Sequence, residues 1–172
     1  NMSGSAIYPG SFDPITYGHL DILQRATEMF DKVILTVAEN TQKKYVFEIE
    51  ERLQLIKDCI SDKEWGKKVE VDQFTGLLVN YCELKKVHTL IRGVRQISDF
   101  EYEFRMALMN RRLNNKVDTI FLMPNEELTF VSATMVREVA YWGGELKHFV
   151  PQLVADSLKK KYSQLKSNPK TT

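Results

Sequence analysis

Cysteine is scarce in this 172-residue chain. Cys59 and Cys82 each stand in a helix-like apolar setting and read as two reduced core thiols, not as a disulfide or a metal pair. That usage points to a reducing cytoplasm. Long apolar runs are missing too: none approaches the ~18–20 residues of a membrane helix. The opening Asn1-Met2-Ser3-Gly4-Ser5 lacks the basic and apolar pattern of a signal peptide. Nor does one sign of charge dominate, since 24 Lys and Arg against 23 Asp and Glu leave a formal net charge of +1. Proteins that grip long stretches of nucleic acid usually carry a strongly basic face, so the balance argues against that partner and leaves room for a small anionic ligand. The chain also has no Gly-x-x-x-x-Gly-Lys-Ser/Thr loop, no Gly-x-Gly-x-x-Gly fingerprint, no Gly-x-Ser-x-Gly nucleophile turn and no Cys/His metal spacing.

At 43% hydrophobic and 27% charged, the composition is that of an ordinary soluble globular protein. The length suits one domain that buries about two thirds of its extended surface. Apolar runs expected as strands, at residues 6–8, 33–38, 69–74, 89–91 and 119–123, alternate with stripes at helical spacing. The stripes are Leu20, Leu23, Ala26, Met29 and Phe30; then Ile49, Leu53, Ile56 and Ile60; then residues 77–84; then Phe100, Phe104, Ala107 and Leu108. Ser98 and Glu101 fit a capping box at the start of the fourth of these helices. Pro124 ends the fifth strand on an edge or at its tip. A further helix from about Thr134 closes at Gly143-Gly144, and Pro151 opens a last one whose Lys159-Lys160-Lys161 run reads as a solvated helix end.

Strand then helix, repeated, specifies an α/β protein: a single doubly wound, Rossmann-like domain with a five-stranded parallel sheet and flanking helices. The domain is expected over 6–162. Residues 1–5 read as an N-terminal tail, with Asn1 ahead of Met2 suggesting an added remnant, and 163–172 as a polar, frayed tail.

In such a sheet, ligands bind beyond the carboxyl ends of the strands, near the switch in strand order. Ser11, Thr16 and His19 follow the first strand, Asn40, Thr41, Lys43 and Lys44 the second, and Gly76 the third. Arg92-Gly93-Val94-Arg95 follows the fourth, and Ser132 and Thr134 lie beyond the fifth. Between residues 7 and 19 a strand, a Gly/Pro turn and a helix start adjoin an imidazole, which is the layout of a nucleotide phosphate site. Donors and cations gathered in this way suit phosphates and growing negative charge. They do not suit a covalent nucleophile, which favours direct phosphoryl or nucleotidyl transfer.

Tyr8-Pro9-Gly10-Ser11-Phe12-Asp13-Pro14 with Thr16-Tyr17-Gly18-His19 resembles the signature of the nucleotidyltransferase superfamily. Arg92-Gly93-Val94-Arg95, Asp99-Phe100-Glu101-Tyr102-Glu103, Met109-Asn110 and the segment 131–137 narrow the resemblance to the bacterial phosphopantetheine adenylyltransferase family, over roughly residues 6–162. The resemblance implies a cytoplasmic enzyme that joins ATP and 4'-phosphopantetheine to give dephospho-coenzyme A and pyrophosphate. It further implies Mg2+ as the helper ion, no metal site on the protein and a homohexamer. Two alternatives stay open: another small-molecule adenylyl- or cytidylyltransferase, acting for instance on nicotinamide mononucleotide or glycerol phosphate, and a noncatalytic ATP-binding module.

Carried over by motif, the catalytic set is His19, Ser11, Lys43 and Arg92. His19 would donate to the α-phosphate, and Ser11 would orient the attacking phosphate. Lys43 and Arg92 would hold the phosphopantetheine phosphate, and Arg95 would hold ATP. The implied ATP contacts are Ser11, Phe12, His19, Gly93, Val94, Arg95, Glu103, Leu128, Thr129, Phe130, Val131, Ser132, Ala133 and Thr134. The implied acceptor contacts are Ser11, Lys43, Arg92 and a pantetheine wall of Leu77, Leu78 and Asn80. Plainer readings stand beside these: His19 as a helix cap or packing residue, Ser132 and Thr134 as N-caps, Leu77 and Leu78 as helix core. Glu103 has an alternative as a partner of Arg105, Arg111 or a neighbouring chain. Ala133 stands where relatives often carry another hydroxyl, so no side-chain contact is assigned to it.

Overall fold

A computed structural model describes residues 2–168. Five strands form one sheet: β1 (Met2–Gly10), β2 (Phe30–Glu39), β3 (Val69–Thr75), β4 (Thr89–Gly93) and β5 (Asp118–Leu122). Their order is β3-β2-β1-β4-β5 and every pairing is parallel. The helices are α1 (Tyr17–Met29), α2 (Ile49–Ile60), α3 (Leu78–Lys85), α4 (Ile97–Leu113), α5 (Ala133–Tyr141) and α6 (Gln152–Ser167). Among the described residues no helix is long and apolar enough to cross a membrane.

A strand covered on both faces must be apolar at consecutive positions, and here successive residues serve different cores. Ala6 and Tyr8, Val33, Leu35 and Val37, and Ile91 point into the larger one, beneath α1, α2, α5 and α6. Ile7, Ile34 and Leu90 point into the smaller one, against Val79, Tyr81 and Cys82 of α3. Each fully buried Leu or Ile contributes about 1.5–3 kcal/mol relative to exposure, so the two clusters fix the register of the sheet. Both cysteines are free and buried, one in each core. Burial pushes the Cys59 thiol up to about 12 and that of Cys82 up to about 11.

Several boundaries differ from those expected. β1 begins at Met2, with a register shift against β2 between Met2 and Ser5. Phe30 belongs to β2 and not to α1. Helix α4 starts at Ile97 after Gln96, which makes no side-chain cap, so Ser98 is inside the helix and caps nothing. The first turn is anchored instead by Asp99, 3.2 Å from Arg95. The Phe100, Phe104 and Leu108 stripe of α4 stays 43–47% exposed, and Glu103 is the buried residue of that helix. Helix α6 runs to Ser167, which places the three lysines in its interior and makes 163–167 helical. Lys161 is no solvated end group: it grips Glu51 of α2 at 2.7 and 2.8 Å. The expected tail beyond residue 168 lies outside the described residues. The end of α5 is as expected, with Gly143 at φ +75° and its N–H and that of Gly144 returning to Ala140 and Val139.

Candidate active site

The chain moves outward from β1 to β2 and β3, then returns to the other side of β1 for β4 and β5. A crevice must open where the two directions part, between the carboxyl ends of β1 and β4. The cleft found there has a volume of about 510 Å3. Its wall brings together Ser11, Phe12, Thr16, His19, Lys43, Arg92, Gly93, Arg95, Val131, Ser132, Ala133 and Thr134. A neighbouring groove of about 500 Å3 shares Ser11 and Lys43 with it and adds Asn40, Thr41 and Gly76.

The imidazole is set by a reciprocal cap. Thr16 is the N-cap of α1; its hydroxyl accepts the His19 backbone N–H at 3.3 Å, and its own N–H donates to His19 Nδ1 at 3.0 Å. Histidine thus fills the place that Glu or Gln takes in an ordinary capping box. Since Nδ1 accepts, the ring proton sits on Nε2. Burial, then the positive charges of Arg95 and Arg92, push the His19 pKa down to about 3, so the ring is a neutral donor at physiological pH. The expected fan of free N–H groups at this helix start is smaller than the sequence implied. Tyr17 N–H bonds Phe149 O and His19 N–H bonds Thr16, which leaves Gly18. The first turn of α5 is better supplied: Ser132 caps Met135 N–H at 3.1 Å, and the N–H groups of Ala133 and Thr134 remain for a ligand.

Phe12 holds the turn. Its φ of +47° is a left-handed conformation that costs a non-glycine residue about 1–2 kcal/mol. The ring, only 2% exposed, lies edge-on to Tyr8 and His19 with centroids at 5.3 and 5.0 Å. A Cβ on Gly10 would stand 3.0 Å from that ring, so glycine is what lets it fold back. Asp13, also buried, accepts the N–H groups of Val46 and Phe47 at 2.9 and 3.0 Å.

The cations divide into held and free. Arg92 donates through Nε and one terminal nitrogen to both oxygens of Glu103 (2.8 and 2.6 Å) and through the other to Pro9 O (2.6 Å). Burial works against its charge, and the Glu103 hydrogen bonds outweigh that and raise its pKa further. Three of five guanidinium hydrogens are thereby spent, and two remain. Glu103 therefore pairs with Arg92, while Arg105 takes Glu101 and Arg111 takes Asp118. Arg95 donates to Val131 O at 3.0 Å, and its Nε lies 3.2 Å from the buried Asp99 Oδ2, which has that ion pair but no hydrogen bond. Among the described residues the Ser11 hydroxyl, the Lys43 ammonium and His19 Nε2 have no protein partner.

A family model described as cytidylyltransferase-like matches residues 7–139. A phosphopantetheine adenylyltransferase of Caldanaerobacter subterraneus subsp. tengcongensis is 48% identical over 159 residues, spanning 92% of this chain and 98% of the relative. That of Clostridium perfringens is 45% identical over 160 residues, spanning 93% and 96%. The chain belongs to the phosphopantetheine adenylyltransferase family. Among solved structures, nicotinic acid mononucleotide adenylyltransferase of Plasmodium falciparum in complex with NaAD superposes with a TM-score of 0.71 at 17% identity, covering 96% of this chain and 98% of that one. At that identity the likeness carries the fold alone.

Not every residue suggested by the family motif lies on the cleft wall of this adenylyltransferase. Leu128 ends a 3-10 turn and packs toward the larger core, Thr129 donates to Glu126 O, and the Phe130 ring meets Phe149. Val94 spends its N–H on Leu122 O. Leu77 precedes α3 and is exposed, Leu78 packs on the smaller core and Asn80 faces outward; none of the three borders the cleft or the adjoining groove. Conversely, sequence reasoning passed over Arg52 and gave no role to Asp99, Tyr102 and Arg137, although these three lie in the motif segments that carry the resemblance. Arg137 lines the cleft and bonds Asp13 O at 2.8 Å and Thr134 Oγ1 at 3.2 Å. Arg52 left a readable signal, a charge on the apolar stripe of α2.

The cap makes a titration outcome definite. As pH falls from 6.5, the unfolded chain takes up the imidazole proton before the folded one does, so the contribution of His19 to stability is complete above pH 6.5 and fades toward about 3. Nitrogen NMR of the ring should report the Nε2–H tautomer unchanged between pH 8 and 5. A midpoint near 6.5 would reject this description.

Proposed function

We propose that the cleft transfers the adenylyl group of ATP to 4'-phosphopantetheine, giving dephospho-coenzyme A and pyrophosphate, in one direct displacement. The observation that carries the reading is the set of donors left unpaired at the switch point, in a chain whose relatives bear that enzyme's name. An acceptor phosphate monoester has a second pKa of about 6 and is already largely a dianion near neutral pH, so no base is needed. The obstacles are repulsion between two anions and charge growing on the α-phosphate. Lys43 and the two remaining hydrogens of Arg92 hold the acceptor phosphate, and the Ser11 hydroxyl orients it. An acceptor oxygen bonds to the α-phosphorus, the bond to the bridging oxygen breaks, and pyrophosphate leaves with the electron pair. His19 donates Nε2–H to the α-phosphate as charge accumulates, and neutrality keeps it from binding the ground-state anion more strongly. Arg95 and the N–H groups opening α5 receive the β- and γ-phosphates. Glu103 acts through Arg92, whose fork it holds.

Magnesium fits this site as an ion carried on the triphosphate. Among the described residues no group of three or more His, Cys, Asp or Glu side chains is placed to cage a metal. Asp13 is engaged with two backbone N–H groups, Glu103 with Arg92, and Asp99 is ion-paired with Arg95 at 3.2 Å; of the three, Asp99 keeps an oxygen with no hydrogen bond and would hold the ion's water. Mg2+ is commonly bound by one or two carboxylates with phosphate oxygens and water, and when bound it offsets phosphate charge. The buried free thiols support a reducing, cytoplasmic setting. The uncovered apolar stripe of α4 supports a homohexamer, since a patch of Phe100, Phe104, Leu108, Met109 and Leu113 at 43–57% exposure suits association.

Pyrophosphate release should be rapid with ATP and 4'-phosphopantetheine, and absent when CTP replaces ATP or when nicotinamide mononucleotide or glycerol phosphate replaces the acceptor. Activity confined to one of those acceptors overturns the reading, as does tight ATP binding without turnover. His19→Ala should lower kcat by about 100-fold or more with little change in ATP affinity; a large affinity loss at unchanged kcat refutes the donor role. Light scattering should give a hexamer for the parent and smaller species for a Phe104→Asp, Leu108→Asp double variant. A monomeric parent contradicts the assembly.

A further inference from the structure

Ser11 and Lys43 belong to neither strand nor helix: one sits in the turn after β1, the other in the loop between β2 and α2. Two irregular segments must nevertheless present their donors to one phosphate. A buried cation lies between them. Arg52 is 1% exposed on the inner face of α2 and has no carboxylate within ion-pair distance among the described residues. Its Nε–H donates to Phe47 O at 3.1 Å and a terminal nitrogen to Ser11 O at 2.9 Å, while the guanidinium lies 4.0 Å from the centroid of the Tyr45 ring. A buried charge without a counter-ion is expensive, and a Leu or Met would fill the same stripe at less cost. The bonds that Arg52 makes must be what it is there for.

Those bonds lead to Lys43. The Tyr45 hydroxyl accepts the Asn40 N–H at 3.0 Å, and Asn40 O accepts the Lys43 N–H at 2.9 Å. Asp13 grips the same loop from the other side through the Val46 and Phe47 N–H groups. Arg52 thus joins the Ser11 backbone to a closed loop that displays Lys43.

We infer that Arg52 is a positioning residue for adenylyl transfer: through the Ser11 carbonyl and the Tyr45 ring it fixes the Ser11 hydroxyl and the Lys43 ammonium relative to one another, without touching substrate. The inference rests on the assignment of Ser11 and Lys43 to the acceptor phosphate. Lysine at 52 keeps the charge and loses the planar fork and the stack, so it is not a conservative replacement at this place.

The test compares Arg52→Lys and Tyr45→Leu with the parent, varying 4'-phosphopantetheine and ATP separately. Both variants should lose about tenfold to a hundredfold in kcat/KM for the acceptor, with the dissociation constant for ATP within about twofold of the parent. Tyr45→Phe should lose less, since it keeps the ring. Should Arg52→Lys fail to fold, the partly exposed Tyr45 decides. Acceptor kinetics like the parent's in Tyr45→Leu, or equal losses toward both substrates, overturn the inference. Lys43→Ala separates it from the reading beneath it. Unchanged acceptor kinetics in that variant reject the assignment of Lys43 and the clamp together. A loss there, with parent-like Arg52→Lys and Tyr45→Leu, rejects the clamp alone.

Discussion

The reciprocal bond between Thr16 and His19 is the constraint on which the site turns. It closes the first turn of α1, fixes which ring nitrogen keeps its proton and aims that proton at the end of the sheet. A helix cap and a catalytic donor are usually described as rival readings of one residue. Here one nitrogen of the ring serves the helix and the other faces the cleft without a protein partner among the described residues, free for the donor role proposed for it. Burial and two nearby arginines complete the arrangement by keeping the ring neutral, so the donor needs no particular pH within the physiological range.

The arginine at the end of β4 follows the same logic. A free guanidinium on a flexible side chain would have to be ordered when the anion arrives, at a cost in side-chain entropy. Glu103 and Pro9 O order it beforehand and leave two hydrogens directed elsewhere. Lys43 keeps its flexible stem, and the loop below it carries the order. Preorganised charge of this kind is more effective in a partly closed cleft than in water.

Much of the fold was legible because parallel strands buried on both faces read as unbroken apolar runs, and all five expected strands form. Boundaries failed where one residue is equally apolar in two roles: Phe30 is buried whether it ends α1 or begins β2. The stripe on α4 was read correctly as helical, but periodicity alone did not show that Phe100, Phe104 and Leu108 stay 43–47% exposed. At the site, the strand-end rule found the cleft and most of its polar lining. It missed partners that meet only in three dimensions, such as Glu103 with Arg92 and Lys161 with Glu51. The acceptor wall of Leu77, Leu78 and Asn80 came from the resemblance and not from that rule; Gly76, just before them, lines the adjoining groove, while the three themselves are not among the residues bordering it or the cleft.

The reaction proposed for this pocket has it stabilise charge and lend no atom of its own to a bond. Transfer from ATP made chiral at the α-phosphorus by sulfur substitution tests that claim most directly, because each displacement at phosphorus inverts its configuration. A single direct attack predicts inversion in the dephospho-coenzyme A product. Retention would require a second displacement through an adenylylated side chain and would contradict the account.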